Sequence, residues 1–123
     1  MNFSLTPEQE MIRNVVREFA EKEVAPIAAE IDETGRVPIE NIEKMAELGL
    51  MGMPYPKKYG GAETDYISYI IAYEEIAKAC ASTAVILGGN VSLTCFPIYQ
   101  FGTEEQRQKF LVPLAKGEKL GAF

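Results

Sequence analysis

Ser82-Thr83-Ala84-Val85-Ile86-Leu87-Gly88-Gly89-Asn90-Val91-Ser92-Leu93-Thr94-Cys95-Phe96-Pro97-Ile98-Tyr99-Gln100-Phe101 decides the fold. The stretch has no charged residue, and its apolar side chains fall on nearly every side of a helix. A helix without a polar face belongs at the centre of a protein, buried by neighbours all round. Ser82 is placed to cap its start and Gly102 to stop it. Gly88 and Gly89 each weaken such a helix by about 1 kcal/mol relative to Ala. Pro97 removes one ladder bond. Two adjacent glycines leave an empty volume beside them. Either a neighbouring backbone approaches there, or the gap is the wall of a ligand cavity. Val85, Gly89 and Leu93 are spaced by four and share one side, which could form an apolar slot for an aliphatic chain. Composition alone does not choose.

The rest of the chain is also helical in period. Thr6-Pro7-Glu8-Gln9 spells a capping box with proline at the first helical position. Met11, Ile12, Val15, Val16, Phe19 and Ala20 follow at helical spacing. Pro26 should end or kink this helix, and Gly35 should close the short stretch after it. Pro38 opens a second helix with Ile39, Ile42, Met45 and Ala46 inward, stopped by Gly49. Leu50 to Asp65 reads as a loop, punctuated by Pro54, Pro56, Gly60 and Gly61, with Tyr55 and Tyr59 as its anchors. Thr64 or Asp65 caps a third long helix whose apolar face includes Ile67, Ile70, Ile71, Tyr73, Ala77 and Cys80. Thr103-Glu104-Glu105-Gln106 is a second capping box, and Phe110, Leu111, Leu114 and Ala115 point inward behind it. The expected fold is all-α, an up-down bundle of five or six helices.

Composition narrows the chemistry. The chain has 123 residues, room for one domain with a real core. Its net charge of −6 argues against binding nucleic acid or an anionic membrane. No apolar run reads as long enough to span a bilayer. Histidine is absent, which excludes His-containing triads and His-ligated metal sites, and no metal site is expected. Cys80 and Cys95 read as free buried thiols in a reducing compartment, hence a cytoplasmic location. No glycine-rich phosphate loop is present. Glu74 and Glu75 are adjacent on a helix and point about 100° apart, so they read as ion-pair partners and not as an acid/base pair. No catalytic residue is expected within the chain.

The order of segments resembles a family. Leu5-Thr6-Pro7-Glu8-Gln9, Glu23-Val24-Ala25-Pro26, Glu47-Leu48-Gly49-Leu50 and Tyr59-Gly60-Gly61 come first. Tyr73-Glu74-Glu75-Ile76-Ala77 and Cys80-Ala81-Ser82-Thr83 follow. Pro97-Ile98 with Phe101-Gly102-Thr103-Glu104-Glu105-Gln106, then Phe110-Leu111-Val112-Pro113-Leu114, is the most telling stretch. Together they resemble the N-terminal helical domain of the flavin-dependent acyl-CoA dehydrogenases, most of all bacterial short-chain, butyryl-type members.

The resemblance implies a three-part enzyme: a helical domain, a middle β-domain and a C-terminal helical domain. It implies removal of an α-proton from an acyl-CoA, hydride transfer from the β-carbon to FAD, electron exit through an electron-transferring flavoprotein, and a homotetramer. On this reading residues 1–119 are the helical domain. Residues 120–123 begin the β-domain, and Phe123 is the first residue of the flavin-contacting stretch. The general base lies outside the chain, which is expected to be inactive alone. Val85, Ile86, Gly89 and Leu93 match positions on the family's acyl-cavity wall. Two rivals remain at this stage: a free-standing helical binding module, and an acyl-CoA or nitroalkane oxidase on the same scaffold.

Overall fold

A computed structural model describes residues 1–123. Thr6 Oγ1 accepts from the Gln9 backbone N–H at 3.2 Å, and Gln9 Oε1 accepts from the Thr6 N–H at 3.0 Å. Behind this box, α1 runs through Pro7–Phe19, widens to π geometry over Ala20–Val24 and continues as Ala25–Thr34. Ile39–Glu47 is α2, Tyr66–Ala79 is α3 and Ala81–Phe101 is α4. The last helix, α5, starts at the Thr103 box and passes through Glu104–Gln106, Arg107–Leu111 and Val112–Ala115. Five helices and no strand make the all-α bundle expected.

Of the two effects expected of Pro26, ending α1 is not what happens, for a reason shared by three prolines. Pro26, Pro97 and Pro113 each stand two residues beyond a π-helical segment. The Ala25 N–H reaches back five residues to the Ala20 carbonyl, and the Val112 N–H to that of Arg107. A proline ring clashes with the carbonyl four residues back. One wide turn ahead of it moves that carbonyl aside, so the helix continues.

Ser82 is not the cap of α4. Cys80 is, in extended backbone (φ −157°, ψ 111°), and it forms a one-residue joint that folds α4 back on α3. As a continuous helix of 21 residues, α4 is long and apolar enough to cross a membrane, contrary to the sequence reading. A core helix meets the same length and composition test. Its inward face packs on α2, α3, α5 and the Leu50–Gly52 turn, while α1 packs on the other side of α3. One buried apolar cluster joins all five helices, from Val16 and Phe19 through Met45, Ile76, Leu87 and Val91 to Leu111 and Leu114.

Residues 50–65 form two short 3₁₀ turns, Leu50–Gly52 and Lys57–Tyr59, packed into the core. Tyr55 and Tyr59 are buried and anchor the segment as expected. The Tyr55 hydroxyl donates to the Val91 carbonyl, and that of Tyr59 donates to Glu104 at 2.6 Å. Asn90, fully buried in α4, crosses three backbones. Its Nδ2 donates to the carbonyls of Met51 at 3.0 Å and Leu114 at 3.2 Å. Its Oδ1 accepts from the Gly121 N–H at 2.9 Å. Residues 120–123 hold no regular structure.

Several side chains expected to face inward do not. Met11, Val15, Ile39, Ile67, Ile70 and Phe110 are exposed. For Ile67 and Ile70 the cause is α4, whose outer side is also bare: Val85 is 65% and Leu93 54% exposed. So α4 is covered on its inner side only, and its outer side continues the apolar band of α3.

Glu75 is buried and Glu74 is not. The Arg17 Nε and Nη2 donate to the two Glu75 carboxylate oxygens at 3.0 and 2.9 Å, and Lys78 Nζ donates at 3.1 Å. The Arg17 hydrogen bonds, against opposing desolvation and helped by Lys78, hold the Glu75 carboxyl below its usual range. Its folded pKa is therefore below the unfolded value of about 4.3. The stabilisation is complete above that value and is lost as pH falls through the folded pKa. Glu75→Gln should be less stable at pH 7, and its stability should fall less steeply on acidification. Urea midpoints between pH 7 and pH 3 check this; an acid limb as steep as the parent's would rule out the ion pair as a source.

Candidate functional site: the cleft between α3 and α4

The Cys80 joint sets α3 beside α4 and opens a cleft of about 320 Å³ between them. Tyr69, Ile70 and Tyr73 line it from α3. Val85, Gly88, Gly89, Ser92 and Leu93 line it from α4. The two glycines do different things. A Cβ on Gly88 would lie 2.8 Å from Tyr73 Cε2, so this glycine admits the tyrosine ring. A Cβ on Gly89 would meet nothing within 4 Å, so this one borders open space.

Three of the four residues read from the sequence as a cavity wall, Val85, Gly89 and Leu93, thus share the cleft. Ile86 does not. It packs against the core and borders a separate groove with Ile31 and Val37. Phe123 is fully exposed at the chain end. Tyr69, Tyr73 and Ser92 were missed as lining. A signal existed, since Tyr69 and Tyr73 stand four apart on one helix face, but the sequence alone does not say which helix that face meets.

The lining carries no charge. Its polar side-chain groups are the hydroxyls of Tyr69, Tyr73 and Ser92, and Tyr69 Oη lies 3.0 Å from Ser92 Oγ. Burial pushes the Tyr69 hydroxyl up, so it stays neutral. Cys95, behind the cleft, is likewise a neutral thiol, pushed up by burial to about 12. Neither the Tyr69 hydroxyl nor the Cys95 thiol takes or gives a proton near neutral pH. The cleft can hold an apolar group and cannot act on it. Tyr66, Ile67 and Phe96 extend the same bare apolar surface beyond its rim.

The family described as acyl-CoA dehydrogenase, N-terminal domain, matches residues 6–118. This chain belongs to the acyl-CoA dehydrogenase family. It is 61% identical, over all 123 residues, to the short-chain specific acyl-CoA dehydrogenase of Clostridium acetobutylicum, of which it covers 32%. It superposes on butyryl-CoA dehydrogenase from Megasphaera elsdenii with a TM-score of 0.91 at 44% identity, covering 98% of this chain and 32% of that one. A chain in the structure of the electron transferring flavoprotein of Acidaminococcus fermentans gives 0.93 at 46% identity, over 98% of this chain and 32% of that one. The chain therefore spans about a third of these acyl-CoA dehydrogenase relatives. No group of three or more His, Cys, Asp or Glu in this acyl-CoA dehydrogenase domain is placed to hold a metal.

Proposed function

We propose that this chain is the N-terminal domain of a short-chain, FAD-dependent acyl-CoA dehydrogenase, and that its α3–α4 cleft walls one side of the acyl cavity. The observation that carries the proposal is the open, uncharged space beside Gly89, next to Val85 and Leu93. An alkyl chain needs only apolar surface and exclusion of water. The short-chain and butyryl names of the relatives support the substrate class. The α-proton would be taken by a base outside residues 1–123.

FAD, when bound in the whole enzyme, supplies the hydride acceptor. On this reading most of its cradle lies outside residues 1–123. What they offer is backbone leaving the Asn90–Gly121 hydrogen bond toward an exposed Phe123. No step is therefore assigned to this chain's residues through the flavin. An electron-transferring flavoprotein as electron acceptor, supported by the Acidaminococcus fermentans likeness, belongs to the same proposal. So do a homotetramer and a cytoplasmic location, the latter supported by two free buried cysteines.

The test is Gly89→Leu in the full-length enzyme. The substitution places four carbons in the open space, and Leu is the better helix former. Each methylene kept out of an apolar pocket forfeits about 0.8 kcal/mol of transfer energy, and pockets discriminate by about 1–3 kcal/mol per methylene. Values of kcat/KM from C4 to C8 acyl-CoA should fall more steeply with length than in the parent. An unchanged profile would mean that the cleft does not receive the acyl chain.

A further inference from the structure

We infer that Tyr73, seated on Gly88 and braced by Tyr69, is the residue that limits how far an acyl chain extends along the cleft. The inference rests on the reading of the cleft as an acyl wall. The wall changes character between two neighbouring residues. At Gly89 the space is open; at Gly88 the Tyr73 ring fills it, with Cε2 and Oη 2.8 and 3.2 Å from where a Cβ would stand.

Two neighbours confine the partly buried ring. On one side is the α4 backbone at Gly88. On another, the Tyr69 ring meets it edge to face, with centroids 6.1 Å apart and planes at 69°. Tyr69 is itself buried and tied to Ser92 on α4, so the brace spans both helices. A methyl end growing along the cleft past Gly89 meets this assembly as a fixed obstacle. A ring wedged between the α4 backbone and a buried second ring resists displacement by one more methylene. The Tyr69–Ser92 pair beside it gives an alkyl end nothing to gain by pushing between them, since separating two hydroxyls leaves both unpaired.

Tyr73→Ala in the full-length enzyme removes the ring and leaves Gly88 facing space. The ratio of kcat/KM for octanoyl-CoA over butanoyl-CoA should rise by about tenfold or more, the lower end of discrimination by one methylene. Binding of unreactive S-alkyl-CoA thioethers should shift the same way. Tyr73→Leu, which keeps an apolar filler of smaller reach, should move the ratio in the same direction by less, and decides the matter if the Ala variant does not fold. A ratio unchanged in the folded variants, or a uniform loss at every chain length, overturns the inference. Gly89→Leu separates the two ideas. If it narrows the profile while Tyr73 variants leave the ratio alone, only the role of Tyr73 falls. If neither moves the profile, the reading of the cleft falls as well.

Discussion

Replacing Asn90 with Leu is expected to cost this chain about 2–4 kcal/mol, chiefly from the Met51 carbonyl and the Gly121 amide left unpaired at roughly 1–3 kcal/mol each, since the Leu114 carbonyl also accepts from the Gly117 N–H at 3.1 Å. The carbonyls of Met51 and Leu114 and the amide of Gly121 all turn toward this one side chain. Leu has the same branched skeleton as Asn with two methyls in place of the amide O and N, so no cavity forms and the loss comes from polarity, with any overpacking added to it. The two costs do not add in full, because Gly121 lies where water can reach it. Domains of this size are stable by about 5–15 kcal/mol, so the variant would sit near the edge of folding. Urea unfolding of parent and variant measures the difference. A loss under about 1 kcal/mol would mean that water replaces Asn90 and that the residue is no hub.

Asn90 also shows why part of this structure was hidden in the sequence. What was legible was local. Both capping boxes, the Asp65 cap and the stop at Gly49 depend on residues within four positions of one another, and each is where the pattern puts it. The line Val85, Gly89, Leu93 was legible for the same reason, since helical spacing fixes which residues share a side. The opposite wall was not, because it depends on how two helices register across the Cys80 joint. In the sequence Asn90 is one polar residue within an apolar run. Its value comes from Met51, Leu114 and Gly121, which lie 39, 24 and 31 positions away. Pro26, read as ending or kinking α1, is a subtler case. A proline's effect on a helix depends on whether the turn before it can widen, and nothing in the residues nearby announces that. The bare side of α4 could not be told from a covered one by composition, because apolar residues serve both.

The second large effect is expected at Gly61, and its neighbour Gly60 supplies the contrast. The two glycines are required for different reasons. Gly60 sits at φ +85°, in the left-handed region, and a Cβ there would lie 2.6 Å from Cγ of Lys116, an exposed side chain that can turn aside. Asn tolerates that conformation, so Gly60→Asn should cost about 1 kcal/mol. Gly61 has no such backbone demand. A Cβ there would fall inside contact distance of the Tyr55 carbonyl and 2.6 Å from that of Gly52. Those carbonyls are already in use: Tyr55 accepts from the Glu63 N–H at 2.9 Å, and Gly52 from the N–H groups of Tyr55 at 3.1 Å and Ala62 at 3.2 Å. The added methyl cannot be housed without opening the 52–63 loop on itself. Overpacking of about 1–3 kcal/mol then combines with hydrogen bonds worth about 1 kcal/mol each, and Gly61→Ala should lose about 3–5 kcal/mol. The loop also carries Met51, the acceptor that Asn90 holds, so the damage should spread to α4. Thermal and urea unfolding of both variants give the comparison. If Gly61→Ala proves no worse than Gly60→Asn, the close backbone approach is not what holds residues 50–65 against the core.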